Sequence, residues 1–420
     1  MRVLVSAYEV DPGAGGEAGF GWHTGRLLAE RGLEVHVVTH ERSKPEIERA
    51  GSLPAGLHFH FVSPSRPPAG FRSGHRGVYG NYLLWQRACL ERARELNEQM
   101  TLDVIHHVSW ASLFWGSPLW RLGVPFVFGP GGGAQTSPNV LAPQFGKAWR
   151  RERIRNGALR FGLRFNPFAR RTIKHSAAFL ASNRETFATV TRFGARHTEL
   201  LLDVALPASS IVAAERQFPG TDAPIVLWVG RDLPLKGIPL ALDTFASVRG
   251  QLPAARMVMI GFLEHSERVQ RALFESGLEG VVEFPGYVPH DRLPEWFDQA
   301  SVLLFSSLRE SAGVPPFEAM SRGLPVVGLD SSGLRDFADP DAVARIPIGP
   351  AQEMVSALAS AVVRFASAES DWLAASKAAV ACARRHTWDQ RVSEFVDVYA
   401  LVTGEVKLRD DRPMPSEGNG

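Results

Sequence analysis

Short apolar runs alternate with helical patterns from the first residues onward. An apolar run at 3–7, a helical pattern at 21–31 and a second apolar run at 34–39 predict a strand–helix–strand unit with parallel strands. Further strands are predicted at 57–62, 104–107, 126–128 and 178–181. Between about 204 and 224 the pattern dissolves into Ala, Pro, Ser, Gly and Asp, and an apolar run at 225–229 starts a second series. Its strands fall near 256–260, 281–284, 302–306 and 326–329, separated by helical stretches such as 238–249. The expected fold class is α/β: two doubly wound, Rossmann-like domains at 1–205 and 206–386 that face each other across a cleft. A helix at about 389–402, within a C-terminal piece at 387–403, is placed to pack back on the first domain. The tail from 404 to 420 is rich in Asp, Arg, Pro, Ser, Glu and Gly and is expected to stay disordered, since it cannot bury enough apolar surface to order itself.

Composition narrows the function. At roughly 150 residues per domain, 420 residues give two to three domains. With 45% hydrophobic and 21% charged residues the chain is neither disordered nor fibrous. The balance of 46 basic against 44 acidic residues is too even for a protein that coats nucleic acid. Cys89 and Cys382 lie far apart, which excludes a disulfide framework and points to a reducing, cytoplasmic setting. The first apolar run meets Glu9 and Asp11 too soon to be a signal peptide. The longest uncharged stretch, 122–146, holds the run from Gly129 to Gly133 and several polar residues, so no transmembrane helix is read there.

In open parallel sheets ligands sit beyond the carboxyl ends of the strands, so the loops leaving strands carry the chemistry. The loop after 225–229 reads VGRDLPLKG. Its Gly230, Arg231 and Lys236 lead into a helix, an arrangement able to aim two cations and a helix start at a diphosphate. Two solvated surface cations are the alternative. The loop after 302–306 contains RESAGVPPFEAM, with Glu310 in the loop and Glu318 in the first turn of a helix that Pro315 and Pro316 open. Gly313 and its neighbours can present bare amides there, and the two carboxylates could chelate vicinal hydroxyls. Alternatively Glu318 complements the helix dipole. The stretch YEVDPGAGGEAGFGW after the first strand contains Gly13, Gly15, Gly16 and Ala18. It departs from a dinucleotide fingerprint, because five residues separate Ala7 from Gly13 and no acid follows at the right distance. His106 and His107 end a strand near the same cleft, and strand alternation lets only one of them face it. Without HExxH, CxxC or Asp-x-Asp, no metal is assigned.

Residues 147–174 carry ten Lys or Arg against one acid, Glu152, which leaves the rest of the chain at about −7 of the +2 total. Trp149, Ile154, Phe161, Phe165 and Phe168 interleave at near-helical spacing, suited to an amphipathic segment on an anionic membrane surface, with 147–171 as the contact. Pro167 is expected to end its helical part. A core-facing stripe with a solvated basic back is the alternative, and nucleic acid is not an expected partner.

Taken together, the VGRDLPLKG loop, the RESAGVPPFEAMSRGLPVV segment and the first glycine loop resemble the family 4 retaining glycosyltransferases of GT-B fold, over about residues 1–403. The block DVIHHVSWASLFWGSPLWRLGVPFVFGPGGG and the RESAG motif further look like the bacterial subgroup of surface-polysaccharide assembly. The resemblance implies that Gly230, Arg231 and Lys236 hold the donor diphosphate and that Glu318 takes the ribose hydroxyls. Glu310 would take hydroxyls of the transferred sugar, with Ser311, Gly313 and Val314 beside it. Gly15 and Gly16 would lie near the phosphate and the acceptor. His107 is the candidate for the family's catalytic-site histidine, with His106 as fallback, although these two are adjacent where members alternate His-x-His. Glu310-Ser311-Ala312-Gly313 departs from the usual Glu-Gly-Phe-Gly, so the sugar pocket differs in shape. The implied reaction is retaining transfer from a nucleotide-diphosphate sugar to a glycan or lipid-linked acceptor. It needs neither metal nor another cofactor, and it would take place on the inner face of the membrane. A GT-B epimerase or phosphorylase, a non-catalytic nucleotide-sugar-binding scaffold and a dinucleotide oxidoreductase are the rivals. Screening nucleotide sugars separates them.

Overall fold

The structure, a computed structural model, describes residues 1–64, 74–261, 263 and 266–405. The tail expected to be disordered lies, from residue 406, outside the described residues. Two parallel sheets make the two domains. The first holds β1 (Arg2–Ser6), β2 (Glu34–His40), β3 (Leu57–Val62), β4 (Val104–His107), β5 (Phe126–Gly131), β6 (Ala178–Ala181) and β7 (Thr198–Leu200), in the order β3-β2-β1-β4-β5-β6-β7. The second holds β8 (Ile225–Val229), β9 (Arg256–Ile260), β10 (Val282–Gly286), β11 (Val302–Phe305), β12 (Val326–Leu329) and β13 (Val343–Ile346), in the order β10-β9-β8-β11-β12-β13. In each sheet the strand order reverses once, at β1/β4 and at β8/β11, and a ligand crevice opens beyond the carboxyl ends at such points.

Both faces of each sheet are covered, which is why the strands read as continuous apolar runs rather than alternating ones. Val3 and Val5 of β1 pack into one layer with Phe395 and Tyr399, while Leu4 packs into the other with Trp85 and Cys89. β7 and β13 escape the sequence reading because they are short edge strands of three and four residues, largely half-buried. The helix expected at 21–31 starts earlier, at Gly16, and runs Gly16–Glu30. Its glycines serve close packing: a Cβ added at Gly21 would lie 2.9 Å from the Ala7 Cβ, and one at Gly25 would lie 2.8 Å from Val37 Cγ2.

The last helix, Trp388–Thr403, returns to the first domain and buries Trp388, Val392, Phe395 and Tyr399 against it. In the other direction, Leu202, Val204 and Leu206 already belong to the second domain's core. The two crossings run side by side, with the Leu206 N–H donating to the His386 carbonyl at 2.9 Å and the Trp388 N–H to the Leu206 carbonyl at 3.0 Å. Among the described residues no helix is long and apolar enough to cross a membrane.

Candidate active site in the interdomain cleft

The loops leaving β8 and β11 meet. Lys236 Nζ forms an ion pair with Glu310 Oε1, both side chains being largely buried, and sits 5.8 Å from the centre of the Phe305 ring. The turn carrying Lys236 is held from below. Trp228 Nε1 donates to Ser306 Oγ at 3.0 Å, and Ser306 Oγ donates to the Lys236 carbonyl at 2.9 Å. Gly237 follows at φ +63°, where an added Cβ would lie 2.2 Å from the Ser306 carbonyl, so only glycine lets the loop turn there. Next to Gly230, Arg231 is exposed, without an ion pair among the described residues.

Gly313 caps the helix Val314–Ser321 at φ +86°. The second and third residues of the helix, Pro315 and Pro316, have no N–H, so Gly313 and Val314 are the amides left to face a ligand at that helix start. Glu318 is the fifth residue of this helix, not in its first turn as expected, and there the dipole is weak. Its carboxylate instead meets His290, Oε1 lying 2.6 Å from Nε2. The hydrogen bond to Glu318 raises the His290 pKa above the ordinary 6.5. A Cβ added at Gly15 would lie 3.1 Å from the His290 ring, so the first glycine loop and the second domain touch here. Gly15, Gly16, Phe20, Asp203, His290 and Glu318 wall a cavity of about 140 Å³.

Several partners were not legible in the sequence. Ser311 Oγ lies 2.7 Å from Ser182 Oγ of the first domain, and Gln135 Nε2 donates to the Glu310 carbonyl at 3.2 Å. Asp203, in the segment that crosses from β7 to the second domain, is also hydrogen-bonded to Ser311, and burial pushes its carboxyl up to about 6. Glu17 stands near it. Crowding by the cleft walls and the charge of Asp203 push the Glu17 carboxyl up to about 7, although its solvent exposure screens the effect. Arg309, the residue before Glu310, donates from Nε to Glu152 Oε1 at 2.8 Å across the domains. Glu152 also accepts from Ser137 Oγ at 2.8 Å and from Arg155 Nη1 at 3.1 Å. Burial would raise the Glu152 carboxyl, but Arg309, Ser137 and Arg155 outweigh it and hold it below the ordinary range. These residues come from distant segments and share no spacing that a motif could reveal.

The histidine expectation is corrected. His107 is fully buried, with Nδ1 3.0 Å from Ser6 Oγ, Nε2 3.0 Å from Tyr82 Oη and its ring stacked on Phe128. His106 points to the opposite face, where Nε2 donates to the Gly129 carbonyl at 2.7 Å and Nδ1 lies 2.7 Å from Tyr399 Oη. Burial pushes both imidazoles down to about 3, so they are neutral. Alternation along β4 sends each ring into a core layer, and neither reaches the cleft.

Two family models divide this chain between them: "Glycosyltransferase Family 4" matches residues 15–200 and "Glycosyl transferases group 1" matches residues 213–362. The chain belongs to the family 4 glycosyltransferases. Their GT-B fold is the one seen here. A D-inositol 3-phosphate glycosyltransferase of Geodermatophilus obscurus is 27% identical over 442 residues, covering 96% of this chain and 89% of that protein. Among solved structures, a sucrose-phosphate synthase from Thermosynechococcus elongatus superposes with a TM-score of 0.68 at 15% identity, covering 97% of this chain and all (100%) of the other. The Anabaena protein HepE, solved in complex with UDP and glucose, gives a TM-score of 0.58 at 16% identity, covering 94% and 99%.

On the first domain of this glycosyltransferase the basic segment is helical beyond the expected stop. Pro167 opens a new helix, Pro167–His175, because Asn166 accepts from the Phe168 and Ala169 amides and caps it. Phe168, Arg170 and Arg171 are therefore helical. Leu159, Leu163, Ala169 and Ile173 face inward, whereas Ile154, Phe161, Phe165 and Phe168 are 64–76% exposed. Trp149 is the exception, packing half-buried against Phe145 and the second domain's core, so the exposed apolar face runs from Ile154 to Phe168.

Proposed function

We propose that this enzyme transfers a glycosyl unit from a nucleoside-diphosphate sugar to a glycan or lipid-linked acceptor, with retention at the anomeric carbon, in assembly of a surface polysaccharide. The observation that carries the reading is the Lys236–Glu310 pair, with exposed Arg231 in the same loop as Lys236 and the Gly313 and Val314 amides following Glu310 in the other. A diphosphate entering between these groups takes the Lys236 ammonium and releases the Glu310 carboxylate toward the hydroxyls of the sugar. Glu318 takes the ribose hydroxyls, exchanging them for His290. When the anomeric C–O bond to phosphate breaks, the two cations stabilise the leaving charge, one such contact being worth roughly 3 kcal/mol. The new C–O bond forms on the same face, and a leaving-phosphate oxygen accepts the acceptor's proton. Two cations and two amides do the work a metal would do on the phosphates, so neither metal nor organic cofactor is invoked. The UDP and glucose bound to HepE and the glycosyltransferase name of the Geodermatophilus relative support a nucleotide-sugar donor.

Melting curves with UDP-, GDP- and ADP-sugars test the donor. The correct one at 100 times its dissociation constant adds about 2.7 kcal/mol. No stabilisation by any nucleotide sugar at millimolar concentration would overturn the proposal.

The acceptor side of the reading is a reversible dock on the inner leaflet of the cytoplasmic membrane through residues 147–171. Ile154, Phe161, Phe165 and Phe168 stand exposed among exposed Arg150, Arg151, Arg153, Arg160, Arg164, Arg170 and Arg171. Four engaged side chains at roughly 1 kcal/mol each give about 4 kcal/mol, enough for detectable but reversible binding. Sedimentation with anionic liposomes should fall with salt and on changing Arg150, Arg151, Arg153 and Arg160 together to Glu. Failure to bind such vesicles at low salt would point to a soluble acceptor.

A further inference from the structure

At the opposite end of the first sheet from the cleft, the register pairs His36 of β2 directly with His58 of β3. Glu34, two residues before His36, shares its side of the sheet. One carboxylate oxygen and two ring nitrogens from these residues all lie within 4.8 Å of one another. His36 is only 4% exposed, and its Nε2 has no hydrogen-bond partner while lying 3.5 Å from Glu34 Oε1. Arg2 Nε holds the other oxygen of Glu34 at 2.8 Å, so Oε1 is the one left free. His60 Nε2 stands 3.0 Å from His36 Nδ1 and orients that ring from behind. We propose that Glu34, His36 and His58 bind a divalent transition metal of the Zn²⁺ class, with water completing the shell, and so tie edge strand β3 to β2. Imidazole and carboxylate are the ligands such ions take, and outer partners on both the histidine and the carboxylate are what such sites use to aim them.

Arg92 opposes loading. Its Nη2 can only donate and lies 3.1 Å from His60 Nδ1. With that contact made, a neutral His60 carries its proton on Nε2 and donates it to His36 Nδ1. His36 then keeps its own proton on Nε2, the nitrogen that faces the metal. Loading reverses the chain: Nε2 of His36 gives its lone pair to the metal, Nδ1–H donates to His60 Nε2, and the His60 proton sits on Nδ1. The two rings hold two protons before and after, and Arg92 withdraws to Glu95, which its Nη1 already meets at 2.9 Å.

Calorimetric titration of the tag-free full chain with ZnCl₂ tests this. One saturable site is expected, weakened at least tenfold in His58→Ala, whose exposed ring can be removed without opening the core, and tightened severalfold in Arg92→Ala. Turnover stays unchanged in both variants, because neither residue lies at the cleft. Absence of saturable Zn²⁺ binding to the wild type, or a His58→Ala titration equal to it, would overturn the site. Weaker binding by Arg92→Ala would overturn the proton arrangement that sets its affinity.

Discussion

The two domains turn the carboxyl ends of their strands to one cleft but equip them differently. On the second domain, Arg231, Lys236, Glu310 and the Gly313 and Val314 amides come from two loops, each a contiguous stretch of sequence leaving a strand. On the first domain, the polar groups that reach across include Gln135, Glu152, Ser182 and Asp203, one from each of four separate segments, and Glu185, which accepts from Arg335 Nη2 at 2.8 Å. The histidines at the end of β4, which chemistry would have placed in the cleft, are spent on its core. A loop keeps its neighbours together in space, so its spacing is readable. A strand divides its neighbours between two faces, so adjacency in sequence says little about what shares a site.

The sharpest break of this contrast is a pair of alanine substitutions, one on each side. Lys236→Ala should lower turnover by at least ~100-fold with the fold intact, and wild-type turnover should survive excess EDTA. Near-normal transfer by a folded Lys236→Ala, or loss of wild-type activity to chelator with rescue by Mn²⁺, would remove the assigned role. His107→Ala should do the reverse. It leaves a cavity and takes one of two hydrogen-bond partners from each of the Ser6 and Tyr82 hydroxyls, which keep Cys89 Sγ and the Trp110 carbonyl, for a stability loss of about 2–4 kcal/mol, while turnover per folded molecule stays within about twofold. Denaturant titration alongside kinetics separates the two, and a large turnover defect in fully folded His107→Ala would return that histidine to the cleft.

The smallest effect lies where the domains touch at His290 and Glu318. The folded His290 pKa is raised above 6.5, so the pair's contribution is fully present below pH 6.5 and is lost as pH rises through the raised value. His290 is half-exposed, which limits that contribution to under about 1 kcal/mol. The stability gap between wild type and His290→Ala should therefore be widest near pH 6 and close toward alkaline pH. A gap that widens with pH would contradict the pairing.

The basic segment shows how far local reading carries. Its charge and its aromatic spacing were visible in the chain, and Ile154, Phe161, Phe165 and Phe168 do face outward. The helix does stop before Pro167, at Phe165; what was not visible is that Asn166 caps a fresh helix there, so that Phe168, Arg170 and Arg171 are helical rather than in a loop. Nor could charge counting show that Glu152, the lone acid of the segment, reaches Arg309 beside the donor loop. The Glu34, His36 and His58 cluster is a similar case, since residues 24 positions apart meet only because β2 and β3 pair in that register.

By itself the sequence determined the two parallel sheets and the cationic and acidic loops of the second domain. Apolar periodicity and loop spacing are local properties, and burial on both faces of a parallel sheet imprints them directly. Only the tertiary structure decided that Lys236 rests on Glu310 and that His290 closes on Glu318. It also decided which way each histidine of β4 faces. Those outcomes depend on strand register, on the side to which each residue is turned and on how two separately folded sheets meet, and residues far apart in the chain record none of these in their spacing.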